Sequence, residues 1–67
     1  MTVKKLKEIL NNHHEDLHVF IRGYEGGYAD VKNIINAKIK KNVNKEWWYG
    51  PHEINNKNYD KEGIILE

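Results

Sequence analysis

Helical spacing of apolar residues occurs once in this chain, at Val3, Leu6, Ile9 and Leu10, and every later apolar run alternates or breaks. The chain must therefore draw the rest of its order from strands and turns. Thr2 stands where an N-cap belongs, and Lys4, Lys5, Lys7 and Glu8 turn toward water. Asn11, Asn12, His13 and His14 predict the end of the helix, because asparagine competes for local backbone hydrogen bonds and tolerates the left-handed cap conformation. Glu15 and Asp16 supply the turn that follows.

From Leu17 to Arg22 the pattern changes to period two, with Leu17, Val19 and Ile21 on one face and His18, Phe20 and Arg22 on the other. Apolar residues on both faces predict a central strand. After a glycine-rich loop, residues 30–33 lead into a second strand on which Ile35, Ala37, Ile39 and Val43 share a face, opposite Asn36, Lys38 and Lys40. Such a division suits an antiparallel strand with one side in water. Residues 44–62 keep no period, and a stretch that long inside a compact domain marks function or disorder. Asn55, Asn56, Lys57 and Asn58 read as an exposed turn, residues 59–63 approach the last strand, and Ile64, Ile65 and Leu66 form it. The expectation is an α+β fold over residues 1–67, one domain with an N-terminal helix packed on a three- to four-stranded antiparallel sheet.

A chain of 67 residues is near the size at which one core barely offsets the entropy lost on folding. Without cysteine it has neither disulfides nor thiolate metal sites to staple it. Burial against copies of itself is the remaining source of stability, so a homo-oligomer is expected. The 11 basic and 10 acidic residues are mixed along the chain, and Lys38, Lys40 and Lys41 are the only compact basic run. That balance argues against duplex nucleic acid as partner. No stretch has the length of a signal peptide's apolar region or of a bilayer span, so no membrane association and a cytoplasmic location are expected. The nine asparagines carry no functional reading.

Two loops combine glycine with aromatic residues: Gly23-Tyr24-Glu25-Gly26-Gly27-Tyr28 and Trp47-Trp48-Tyr49-Gly50-Pro51-His52. Glycine permits positive φ and close approach of another group, while tyrosine and tryptophan offer stacking faces and a polar handle. The first loop lacks the glycine spacing and following helix of a phosphate loop or dinucleotide fingerprint. It still offers backbone N–H groups beside Arg22, whose guanidinium suits a phosphate or carboxylate. Adjacent Trp47 and Trp48, if extended, would point to opposite faces, leaving one for a subunit, a nucleobase or a host protein. The candidate ligand-binding residues are Arg22, Tyr24, Gly26, Gly27, Tyr28, Trp47, Trp48 and His52.

His13, His14, His18 and His52 raise the question of a metal, but no zinc motif is present and none is expected. Serine and cysteine are both missing, and sets drawn from Glu25, Asp30, His52 and Glu53 lack a recognisable nucleophile. The expectation is a non-catalytic protein without a cofactor that binds a small anionic ligand. The alternative is a protein–protein inhibitor or adaptor using the same aromatic residues against a host protein.

The opening Thr2-Val3-Lys4 and its short helix, the segment Asp16 to Phe20, the Gly23-to-Tyr28 loop with Asp30 after it, and Asn44-Lys45-Glu46-Trp47 with Tyr49, Gly50 and His52 resemble a group of short phage and bacterial proteins. The resemblance spans most of the chain and carries no activity onto particular residues. By analogy with small phage proteins that counter host defence, it implies a nucleotide-derived immune signal held between subunits, in the host cytoplasm.

Overall fold

A computed structural model describes all residues 1–67. Helix α1, Val3–Leu10, begins where the cap predicts: Thr2 is extended (φ −102°, ψ 164°), and its hydroxyl accepts the Lys5 N–H at 3.1 Å. At the other end, Asn12 and His13 donate to the carbonyls of Ile9 and Leu10, tightening the last turn. Leu6 and Ile9 are half-buried and the rest of the helix faces water.

Strands β1, Phe20–Arg22, and β2, Tyr28–Asp30, form an antiparallel hairpin in which Phe20 faces Asp30, Ile21 faces Ala29 and Arg22 faces Tyr28. β1 starts later than the alternation at Leu17 predicts, because its partner is only three residues long and Leu17 to Val19 have no strand beside them. Tyr28 and Asp30 belong to this hairpin, not to the loop and the lead-in in which the sequence alone sets them.

The second sheet has β3, Ile34–Lys40, at its centre, with β4, Glu53–Ile54, on one side and β5, Lys61–Leu66, on the other, all antiparallel. The strands are thus divided between a sheet of two and a sheet of three. On β3, Ile35, Ala37 and Ile39 are half-buried while Asn36 and Lys38 face water, as the alternation predicts; Lys40, expected with them, is instead half-buried, because its Nζ turns to the Asp60 carboxylate. Val43 lies beyond that strand, because the chain turns at Asn42, whose φ is 58°. β5 is longer than the apolar triplet 64–66 suggests, because Lys61, Glu62 and Gly63 pair with Ile39, Lys38 and Ala37. β4 comes from the segment without periodicity, and a two-residue strand is too short to show a period.

No side chain is fully buried in the single chain. Its accessible surface is 6537 Å², against about 4,500 Å² for a folded monomer of this mass. The radius of gyration is 14.0 Å, against about 11 Å for a compact domain of this length. This is an α+β chain whose sheets are formed but whose apolar faces lack a cover. No helix is long and apolar enough to cross a membrane.

Candidate ligand-binding site

The glycine loop closes the β1–β2 hairpin, with the Gly23 N–H donating to the Gly27 carbonyl at 3.0 Å. Glu25, Gly26 and Gly27 have φ of 61°, 132° and 67°, a run of positive values that favours glycine. Turn geometry therefore suffices to explain Gly26 and Gly27, and the space beside their Cα atoms is open. Gly23 is held by packing instead: a Cβ there would lie 2.6 Å from the Gly26 carbonyl oxygen.

The tyrosines do not pack on the helix. Tyr24 is 93% exposed and Tyr28 74%. Arg22 and Tyr28 are opposite each other in the ladder, so their side chains leave the same face, about 5 Å apart at Cβ. Phe20 and Asp30 share that face. The two ion pairs in the chain are His14 with Asp16 and Lys40 with Asp60, so the exposed Arg22 guanidinium has no carboxylate partner. An aromatic ring beside an unpaired guanidinium can receive a planar group and an anion together. Phe20 is a member of this surface that the loop motif does not reveal; its signal is the alternation that puts it two residues before Arg22.

The second loop has a hydrogen-bonded base. Val43 and Asn44 donate their N–H groups to the Pro51 carbonyl at 2.8 and 3.1 Å, and Asn44 Nδ2 reaches the Gly50 carbonyl at 2.9 Å and Glu53 Oε1 at 3.1 Å. On that base Trp47 and Trp48 occupy a turn, not an extended segment. Their rings therefore meet edge to face, with centroids 5.7 Å apart, instead of pointing to opposite sides. Both remain exposed, 91% and 69%. His52 belongs to the base: its Nδ1 accepts the Asn42 N–H at 3.0 Å, leaving Nε2 as its free ring nitrogen.

The main clefts never draw residues from both loops: Trp48 lines one with Tyr49, Asn44 and Glu53, and no candidate from the glycine loop lines any of them. An apolar groove absent from the sequence reading runs between the end of α1 and the approach to β1, where Leu10, Leu17 and Phe20 stand with His13, His14 and His18. No group of three histidine or carboxylate side chains converges anywhere in the chain. No family model, curated protein or solved structure matches the chain.

Proposed function

We propose that this protein is a non-catalytic, oligomeric binding protein that takes up a small anionic ligand with a planar part, most simply a nucleotide-derived signal, at sites completed between subunits. The observation that carries the proposal is the pairing of unpartnered Arg22 with exposed Tyr28 on a surface that one chain leaves open. Arg22 holds the anion and Tyr28 or Tyr24 stacks on the planar part; base stacking of this kind is worth about 1–3 kcal/mol. Trp47 and Trp48 supply a second aromatic wall from a neighbouring subunit, since ligand sites commonly lie where two surfaces meet. The excess of about 2,000 Å² over a compact monomer is the scale of surface that an obligate oligomer covers per subunit. In this reading the protein works in the cytoplasm, that of the host if a phage encodes it.

The adaptor reading has its own support, the hydrogen-bonded base under exposed Trp47 and Trp48, because aromatic side chains are the usual anchors of protein interfaces. Native mass spectrometry with a panel of linear and cyclic nucleotides separates the two. A nucleotide adduct on the oligomer, lost in Arg22→Ala while the oligomer persists, supports ligand capture. An oligomer that takes no adduct, purified or after incubation, moves the reading to a protein target.

A further inference from the structure

The longest unpaired backbone edge in this protein is the outer side of β5. Asn33 and Glu67 exchange both of their backbone hydrogen bonds, at 2.8 and 2.9 Å, which fixes the alternation of the ladder. Counting from that pair along the register, Ile65, Gly63 and Lys61 turn their N–H and C=O groups toward β3, while Glu62, Ile64 and Leu66 turn theirs outward. The outward groups have no turn, loop or side-chain hydrogen-bond partner. Proteins normally guard such an edge with proline, a bulge or lysine along its length. Here the half that contains Ile64, Ile65 and Leu66 has none of these.

We infer that β5 pairs antiparallel with β5 of a second copy about a two-fold axis at Ile64, joining two three-stranded sheets into one of six. The inference rests on the oligomeric reading above and adds to it an interface separate from the two aromatic loops. Outward groups must meet outward groups, and centring on Ile64 uses all of them: Glu62 pairs with Leu66 of the second copy, Ile64 with Ile64, and Leu66 with Glu62. A two-residue slip in either direction leaves part of the edge unpaired. A one-residue slip sets outward groups against inward ones.

The same register is favourable on the other face of the strand. It sets Lys61 opposite Glu67 of the second copy at both ends, a cross-strand pair of opposite charge. It also sets Gly63 opposite Ile65, so a branched apolar side chain meets the position with none. Met1, Val3 and Leu6 line a cleft with Ile64 and Leu66 beside this edge, and Met1 and Val3 are exposed there. A second copy would cover that apolar surface, which belongs to the excess exposed by one chain.

The test is sedimentation equilibrium of the full chain made by chemical synthesis with N-methylated Ile64. The methyl removes only an outward donor, so the ladder to β3 is kept, and far-UV circular dichroism checks that the fold is unchanged. Two bonds are lost per dimer, at about tenfold each, so the dimer dissociation constant should rise about 100-fold. Independently, Lys61→Glu should weaken association about tenfold by facing Glu67 with a like charge, and adding Glu67→Lys should restore it. Lys61 opens β5 and Glu67 follows its last residue, too far apart along one extended strand to meet, so rescue requires a second chain. If N-methylated Ile64 assembles like the unmodified chain, the edge pairing is wrong and the oligomer forms elsewhere. If the unmodified chain is monomeric at every concentration, the oligomeric reading itself falls, and the pairing with it.

Discussion

Asn42 donates its backbone N–H to Nδ1 of His52 across 3.0 Å, and that bond closes the base of the loop that carries Trp47 and Trp48. Asn42 sits at φ 58°, a conformation that asparagine accepts more readily than most residues. The loop thus depends on a side-chain acceptor ten positions further along and on one left-handed residue.

His52→Ala removes the acceptor and should cost about 1 kcal/mol. The change should be local, with the Asn42 amide, and after it those of Val43 and Asn44, losing protection in hydrogen exchange while β3 and β5 keep theirs. Asn42→Gly should leave the loop intact, and Asn42→Val should open it. Equal protection of Asn42 in the parent and His52→Ala proteins would remove this bond from the account.

In the hairpin loop, three glycines should respond differently from a fourth outside it. Gly26→Ala and Gly27→Ala each place a Cβ at positive φ, costing about 1–3 kcal/mol. Gly23→Ala should cost at least as much, because its Cβ meets the Gly26 carbonyl oxygen at 2.6 Å, and a backbone atom cannot swing aside. Gly50→Ala meets nothing and has no positive φ, so its cost should be within about 0.5 kcal/mol. Urea midpoints of the four variants provide the comparison, and a Gly50→Ala loss as large as that of Gly23→Ala would contradict the ordering.

A chain with no fully buried side chain should owe much of its stability to association. Its thermal midpoint should therefore rise with protein concentration, by several degrees over a hundredfold range. Trp47 and Trp48 are largely exposed in the single chain, so alanine at either position should lower the midpoint mainly through this concentration-dependent part. A midpoint independent of concentration would mean that the isolated chain is sufficient.

The helix was legible because its signals are local: Thr2 caps Lys5 three residues away, and the apolar period lies within one segment. The face of β3 was legible for the same reason, since Ile35, Ala37 and Ile39 alternate over consecutive residues. What could not be read depends on distant partners. Leu17 to Val19 alternate as well as a strand should, but β2 is too short to pair with them. Glu53 and Ile54 are a strand only because Lys40 and Ile39 lie opposite. Within the candidate site, the aromatic and glycine composition marked both loops, yet the turn that sets Trp47 against Trp48 and the engagement of His52 follow from bonds across the loop base. Phe20 reads as ordinary strand until the register places it on the face of Arg22 and Tyr28.

Acid should weaken the fold partly through Asp60, which ties the start of β5 to the end of β3. Its carboxylate accepts the Lys41 N–H at 3.0 Å and Lys40 Nζ at 3.2 Å, while its own N–H donates to the Ile39 carbonyl at 2.9 Å. The Lys41 backbone bond, then the Lys40 side-chain bond, hold the carboxyl below the ordinary aspartate range, against an opposing effect of desolvation. A carboxyl lowered in the folded state stabilises the fold above its unfolded-state pKa, and that contribution disappears as pH falls through the lower folded value. The effect should therefore be complete at neutral pH and fade below about pH 4. Asp60→Asn keeps an oxygen for the Lys41 N–H but loses the charge. Its thermal midpoint should lie below that of the parent at pH 7, and the gap should narrow as pH falls below about 4. Added salt should narrow the gap at pH 7, because Lys40 and Asp60 are partly exposed and their attraction is screened. A gap that stays constant from pH 7 to pH 2 would assign the loss to altered packing, not to the charge of Asp60.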